Sequence, residues 1–164
     1  MNRFSYYSQI SRRQQGIAMI EFALVFPMMV MLLIGFVEFG RVLYQENQLT
    51  GAILSGARYL AREPEALTAS CTPGPSWSTA RATAVNIVAY SGGGAGPLRL
   101  PGLDADGAVV FTAHAQNVTG STACVIAGDA RAPFDALFGE SVVPLLNLEV
   151  IQLNAQAEER YIGE

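Results

Sequence analysis

The most apolar stretch of the chain lies between Ile17 and Val37. Glu21 is the only charged residue among these twenty-one positions. A helix of this length extends about 31 Å at 1.5 Å per residue, which matches the hydrocarbon thickness of a bilayer. The pattern therefore predicts one transmembrane helix, whose limits we place at residues 17–40.

A second helical pattern follows the apolar stretch and ends before Pro64. Its apolar residues are spaced by three, four or seven positions, as on one face of an amphipathic helix. Residues 41–63 are therefore predicted to form a helical extension. Two arrangements fit the pattern: a single helix of about 70 Å over residues 17–63, or two helices broken near Gly40. The residues that define the apolar face are Val42, Leu49, Ile53, Gly56 and Leu60.

The remaining residues, 64–164, predict a small domain that begins with a loop and a helix. Proline and glycine make Glu65–Trp77 a loop by composition. Ser78 is placed to cap a helix that would continue until the glycines of Ser91–Gly94. The predicted buried face of this helix consists of Ala80, Ala84, Ile87 and Val88.

Three strands are predicted after the second helix. They are assigned to Ala108–Val118, Ala123–Ala127 and Leu146–Glu158, with a turn at Pro133–Gly139. The expected fold class is α+β: a long N-terminal transmembrane helix extends into a small extracytoplasmic domain that contains a second helix and an antiparallel sheet.

Charge is distributed unevenly along the chain. The first sixteen residues carry three Arg and no acid, whereas the rest carries seven Arg and fourteen acidic residues. Because basic residues are retained on the cytoplasmic side of a membrane, we expect residues 1–16 to be a cytoplasmic leader and residues 64–164 to lie outside. The chain contains no Lys and has a net charge of −4, which argues against nucleic acid as a partner.

A cleavable secretory signal peptide is the first alternative for the N-terminal region. Such peptides also begin with basic residues, but their apolar stretch is usually about 7 to 15 residues long and ends at an Ala-x-Ala site. The stretch here is longer and continues into Glu38–Arg41 without such a site. A retained transmembrane helix therefore fits the sequence better.

Glu21 needs a physical reason to lie in an apolar helix, because a carboxylate at the helix centre costs about 2.5 to 3.5 kcal/mol. One explanation places Glu21 near the interface, where its side chain extends to the headgroups and the helix dipole stabilises it. The other places a cation beside it. An α-amino group at residue 17, one helical turn away, would serve, whether from the same chain or from a neighbouring subunit.

Several sequence blocks resemble known proteins. Arg12–Gly16 followed by Ile17–Phe22 resembles the class III signal of type IV pilins and pseudopilins, in which a basic leader ends in Gly and Glu is the fifth mature residue. Three further blocks in the same order resemble the TadE-like family of pseudopilins from the Tad (tight adherence) type IV pilus system. These blocks are Glu21–Pro27, Val37–Arg41 and Gly56–Tyr59.

The resemblance implies processing and assembly rather than catalysis. A membrane-embedded prepilin peptidase would cut between Gly16 and Ile17, and Glu21 would pair with the terminal amine of an adjacent subunit. The implied partners are the membrane, the peptidase, other pilin or pseudopilin subunits and the Tad assembly platform. The resemblance thus implies a minor pilin or assembly factor in the inner membrane, with a role in adhesion and with no cofactor and no small-molecule substrate.

Few residues outside the apolar stretch suggest chemistry. Cys71 and Cys124 would both lie outside the membrane, where an oxidising compartment favours a disulfide; two buried free thiols are the alternative. These cysteines and His114 lack the spacing of metal ligands, and His114 has no partner for catalysis in the sequence. Asp104–Gly107 fits a hairpin turn better than a calcium loop.

Two other classes of protein are alternatives to the pseudopilin interpretation. An uncleaved single-pass anchor that presents a small extracytoplasmic binding domain fits the same hydropathy pattern. It differs from a pseudopilin in keeping its leader. A membrane-tethered enzyme fits less well, because the sequence shows no set of nucleophile, base and metal ligands.

Overall fold

The structure is a computed structural model that describes residues 4–118, 121–137 and 151–163. Within these ranges, side chains are described from Gly16 onward, apart from Val118. The chain divides into two compact units, Met1–Gly40 and Arg41–Glu164. The described elements are a long N-terminal helix, a second helix and a three-stranded antiparallel sheet. The predicted α+β class is therefore confirmed.

Helix α1 extends over Phe4–Arg62 and includes Pro27. Its assignment is unbroken at Gly40, so the single helix is the observed one of the two predicted arrangements. No side chain from Gly16 to Gly40 is buried. The backbone N–H and C=O groups of such a helix are hydrogen-bonded within the helix, and its apolar side chains are free to contact lipid. Transmembrane helices also tolerate a proline such as Pro27.

The second half of α1 contributes to the core of the Arg41–Glu164 unit. Leu49, Ile53 and Leu60 are almost fully buried, and Val42 packs against the same cluster. A Cβ atom added to Gly56 would lie 2.7 Å from Val88 Cγ2 and 2.8 Å from Phe111 Cζ. The predicted apolar face is thus confirmed, and the glycine within it lets the neighbouring elements approach the helix backbone.

Helix α2 extends over Trp77–Ala89. It ends earlier than predicted, because Tyr90 adopts an extended conformation and forms a bridge with Leu98. Ile87 is half-buried rather than part of the buried face. The buried residues of α2 are Ala80, Ala84, Val88 and Ala89.

The predicted cap of α2 is wrong. The helix begins before Ser78, and Ser76 occupies the cap position without a side-chain capping bond. The hydroxyl of Ser76 instead donates to the carbonyl of Pro64 at 2.6 Å. This bond ties the start of α2 to the loop that follows α1, so a tertiary contact replaces the local cap that the sequence suggested.

The sheet has the strand order β1–β2–β3, with both pairs antiparallel. Val118 pairs with Ser121 at the β1–β2 hairpin. The connection from β2 to β3 begins after Pro133, so the turn predicted at Pro133–Gly139 starts one residue too early, and Phe138 and Gly139 lie outside the described residues. The strands are β1 (Val109–Val118), β2 (Ser121–Pro133) and β3 (Gln152–Arg160).

Strand β2 is much longer than predicted. The predicted strand ended at Ala127, whereas β2 continues through Gly128, where a Cβ atom would lie 2.8 Å from Phe111 Cε1 and 3.0 Å from Ile53 Cδ1. The glycine therefore permits close packing and does not end the strand. Beyond it, Asp129 and Arg131 form an ion pair of 3.0 Å, which accounts for charged residues within β2.

Strand β3 is shifted towards the C-terminus relative to the prediction. It begins at Gln152 rather than at Leu146 and ends at Arg160 rather than at Glu158. Residues 146–150 of the predicted strand lie outside the described residues.

Within the Arg41–Glu164 unit, β2 lies against α1 and runs in the opposite direction. The β2–β3 connection is consequently near the beginning of this part of α1, and the β1–β2 hairpin points the other way. In order along α1, the contacts that show this direction are Gln45 with Asp135, Ile53 with Gly128, and Ala61 with Ile162.

Candidate membrane and assembly site

The residues predicted for processing and assembly lie close together on α1. Gly16 and Ile17 are both helical, and Glu21 follows Ile17 by four positions. Residues four apart are neighbours on one face of a helix. The amino group that cleavage would create at Ile17 is therefore within one helical turn of the carboxylate.

The peptide bond between Gly16 and Ile17 is in a helical conformation. A protease needs an extended backbone, so cleavage at this bond would require the helix to unwind there. Gly16 favours unwinding, because glycine is about 1 kcal/mol less favourable than alanine in a helix. A Cβ atom added to Gly16 would meet no other atom within 4 Å.

Glu21 lies on an apolar surface. Ile17, Phe22 and Phe36 are 66%, 62% and 72% exposed, and the rings of Phe22 and Phe26 lie 5.4 Å apart. Among the side chains described from Gly16 onward, none forms a hydrogen bond or an ion pair with Glu21. An exposed carboxylate among exposed apolar side chains fits a helix that meets both lipid and a charged partner.

The described residues contain one helix that is long and apolar enough to cross a membrane. This helix segment is Gly16–Arg62, and its most apolar window contains no buried residue. The core helix of a soluble protein passes the same length test but buries its apolar residues. A single N-terminal helix of this kind fits a single-pass membrane protein.

A polar contact fastens the β2–β3 connection to α1 directly after Gly40. Arg41 Nη2 donates to the carbonyl oxygen of Asp135 at 2.8 Å, and the two charged groups are 3.8 Å apart. Gln45 Nε2 donates to the same carbonyl at 3.1 Å, and the Asp135 amide donates to Gln45 Oε1 at 3.2 Å. Asp135 is thereby held by two side chains that are one helical turn apart.

The spacing of Gln45 in the sequence is a signal for this contact. Gln45 lies four positions before Leu49, on the face that the spacing marks as buried. It is the one buried polar side chain among the described residues. A polar residue at a core position needs a hydrogen-bonding partner, but its spacing does not identify Asp135, which is ninety residues away.

Cys71 and Cys124 form a disulfide, with their Cα atoms 5.1 Å apart. The bridge connects the loop between α1 and α2 to strand β2. Both cysteines belong to the Arg41–Glu164 unit, whereas Gly16, Ile17 and Glu21 belong to the other unit.

The remaining candidates for chemistry do not form a site. His114 is exposed on β1, and Asp104–Gly107 lies in a turn region. No group of three or more His, Cys, Asp or Glu side chains in the described part of the chain is arranged to hold a metal ion. The arrangement that has chemical meaning is therefore the apolar helix with Gly16, Ile17 and Glu21.

Comparison with protein families decides how this helix is to be understood. A family model described as TadE-like protein matches residues 16–58. The resemblance noted in the sequence is thereby confirmed for this segment, which connects the chain with components of Tad pili, a structural family rather than a family of enzymes. No curated protein and no solved structure matches the chain.

The TadE-like segment begins at Gly16 and ends four residues before the end of α1. It includes Ile17, Glu21 and the polar contact residues Arg41 and Gln45. It includes no residue of α2 or of the sheet. The similarity therefore applies to the apolar helix and its extension. It does not extend to α2 or to the sheet.

Proposed function

We propose that this chain is a minor pilin or an assembly factor of a Tad-type pilus. The observation that carries the proposal is the family match, because it begins at the predicted cleavage position and extends through the apolar helix. The structure supports it with a helix whose apolar side chains are exposed rather than packed inside the protein. In this role the chain catalyses nothing and acts through contacts of its helix.

The proposed topology places residues 1–16 in the cytoplasm, residues 17–40 in the inner membrane and residues 64–164 outside it. Three Arg without an acid in the leader support this direction, because basic residues remain on the cytoplasmic side. Residues 41–63 would carry the helix out of the membrane into the external domain. The disulfide between Cys71 and Cys124 suits an oxidising external compartment.

Processing by a prepilin peptidase is the first step of the proposed function. The enzyme would unwind α1 at Gly16, cut before Ile17 and leave a new amino group one turn from Glu21. In assembly, that amino group or one from an adjacent pilin subunit would neutralise the carboxylate inside the membrane. Pairing removes the cost of a lone charge in lipid, so it favours association with other pilin-type subunits and delivery to the Tad assembly platform.

Intact mass of the protein extracted from the membrane of its native host tests this proposal. We expect a species that begins at Ile17 when the prepilin peptidase is present and the full chain when it is absent. Gly16→Val should block processing in the presence of the peptidase. Gly35→Val is the matched control, because Gly35 is also a helical glycine with open space around it, and that variant should be processed normally.

An uncleaved membrane anchor with a small binding domain is the alternative function. It predicts that the full chain is found both with and without the peptidase, and that the Gly16→Val variant is likewise full length in both cases. Both results together would overturn processing, and the TadE-like match would then describe common ancestry of the helix.

A further inference from the structure

We infer that the Arg41–Glu164 unit has a second membrane contact, formed where the chain leaves β2 and returns to β3. The contacting side chains are Leu43, Tyr44, Leu137 and Ile151, which we call the lipid-facing edge, and the partner is the surface of a lipid bilayer. The inference rests on the proposed membrane span of α1 and is independent of cleavage after Gly16.

The polar contact with Asp135 places this edge near the membrane. Arg41 directly follows Gly40, the proposed end of the span, and it binds Asp135 together with Gln45. Residues 41–45 of a helix cover only about 6 Å along its axis. Asp135 is therefore held at the level at which α1 emerges from the bilayer, and Leu137 follows two residues later.

The two sides of the β2–β3 connection are fastened together at this level. The amide of Phe134 donates to the carbonyl of Ile151 at 2.8 Å, directly after the last ladder pair of Pro133 with Gln152. Ile151 therefore lies at the same end of the sheet as Asp135. Residues 138–150, between Leu137 and Ile151, lie outside the described part of the chain.

Exposed apolar side chains in this unit concentrate at the same end. Among the described residues of Arg41–Glu164, five large apolar side chains are exposed. Four of them form the lipid-facing edge, and the fifth, Ile162, is next to Ala61 at the opposite end. Leu137 is 61% exposed and Tyr44 63% exposed, values that would leave apolar surface in water if the edge faced solvent.

The chemistry of the edge fits a bilayer interface. Leucine and isoleucine side chains gain from entering the acyl boundary, and tyrosine is enriched at the headgroup level because its ring is apolar and its hydroxyl polar. Arg41 and Asp135 form an ion pair of 3.8 Å, so neither is an isolated charge. Because Leu43 and Tyr44 follow Gly40, the proposed end of the span, within four residues of the same helix, we assign the edge to lipid rather than to another subunit.

Tryptophan reporters in lipid vesicles test the inference. The full chain is reconstituted at low density into vesicles of phosphatidylcholine and phosphatidylglycerol, with or without lipids brominated near the headgroup end of the acyl chain. Leu137→Trp and Ile151→Trp are the reporters of the edge. Trp77, which packs against the core, is retained in every variant. Its emission is measured in the unsubstituted chain and subtracted.

Two control positions separate the possible outcomes. Phe36→Trp lies in the proposed span and should lose most of its emission with brominated lipid. Thr122→Trp is exposed at the start of β2, about 36 Å along the strand from Pro133, and should keep its emission. All four substituted residues are exposed, so the replacements leave the core unchanged.

We expect Leu137→Trp and Ile151→Trp to lose most of their emission with brominated lipid, as Phe36→Trp does. If Phe36→Trp is quenched and both edge reporters are not, the second membrane contact is overturned while the span stands. If Phe36→Trp itself is not quenched, the proposed membrane span fails. A blue shift of the edge reporters without quenching would assign the edge to a second copy of the chain and would also overturn the inference.

Discussion

The side-chain amide of Gln45 pairs with Asp135 as a neighbouring strand residue would, donating to its carbonyl and accepting from its amide. Gln45 is only 6% exposed. A buried amide group contributes stability when both its donor and its acceptor are bonded, and it is costly when they are not. Gln45 thus contributes, together with Arg41, to fixing the chain just after it leaves β2.

Gln45→Leu should destabilise the protein because it leaves the amide of Asp135 without its acceptor. The bond between the Asp135 amide and Gln45 is part-buried, so the expected loss is about 0.5–1.5 kcal/mol, the net contribution of a typical hydrogen bond. The measurement is urea unfolding of the full chain in detergent, followed by the fluorescence of Trp77, the single tryptophan of the chain. Gln48→Leu is the control: Gln48 is exposed and bonds only to the Tyr44 hydroxyl. Equal stability of the two variants would contradict the role assigned to Gln45.

Two glycines of α1 should respond in opposite ways to the same substitution. Gly56→Ala should destabilise, because the new methyl group would lie 2.7 Å from Val88 Cγ2 and 2.8 Å from Phe111 Cζ; forcing extra volume into a packed core costs about 1–3 kcal/mol. Gly51→Ala should stabilise by up to about 1 kcal/mol, because Gly51 has open space around it and alanine favours the helix. Urea unfolding of both variants in detergent checks this prediction, and a stabilised Gly56→Ala would refute the close packing.

The disulfide should provide a larger part of the stability. Cys71 and Cys124 are fifty-three positions apart, and closing a loop of this length stabilises by about 4 kcal/mol in the chain-entropy model. The paired variant with Cys71→Ser and Cys124→Ser should therefore unfold at lower urea. Intact mass after alkylation should show no modified cysteine until a reductant is added. Alkylation of both cysteines in the untreated native protein would show that the bridge does not form in the host.

Local spacing was sufficient to predict α1 from Ile17 onward and its buried face, but not its beginning at Phe4. Leu49, Ile53 and Leu60 repeat at helical intervals, and helices are held by such short-range patterns. The boundaries of β2 were not predictable in the same way. Gly128 indicates a break when only its neighbours are considered, and its need for a small side chain becomes visible only when Phe111 and Ile53 are placed against it.

The same distinction between local spacing and long-range contacts applies to the candidate site. Gly16, Ile17 and Glu21 could be identified because their spacing is set by one helix and because the motif resembles that of a known family. The partner of Gln45 could not, since Asp135 is reached only after α2 and two strands have been placed. Contacts between residues far apart in the chain depend on the whole topology, which no local pattern specifies.

Glu21 should be required for assembly but not for membrane insertion. Glu21→Ala and Glu21→Gln both remove the charge from the apolar helix, so insertion should be intact or improved. If a neighbouring terminal amine pairs with Glu21 inside the membrane, either variant leaves that amine as an uncompensated charge, which costs several kcal/mol and should reduce piliation by about tenfold or more.

The matched control for this prediction is Glu46→Ala. Glu46 is an exposed glutamate on the same helix, beyond the proposed span, and its loss should leave piliation normal. Surface pili are counted by electron microscopy in the native host, while membrane fractionation and intact mass establish that each variant is inserted and processed. Normal piliation of an inserted and processed Glu21→Gln variant would show that the carboxylate has no charge-pairing role, because glutamine keeps the size of the side chain and removes only its charge. A defect in Glu21→Ala alone would then reflect lost packing rather than a lost ion pair.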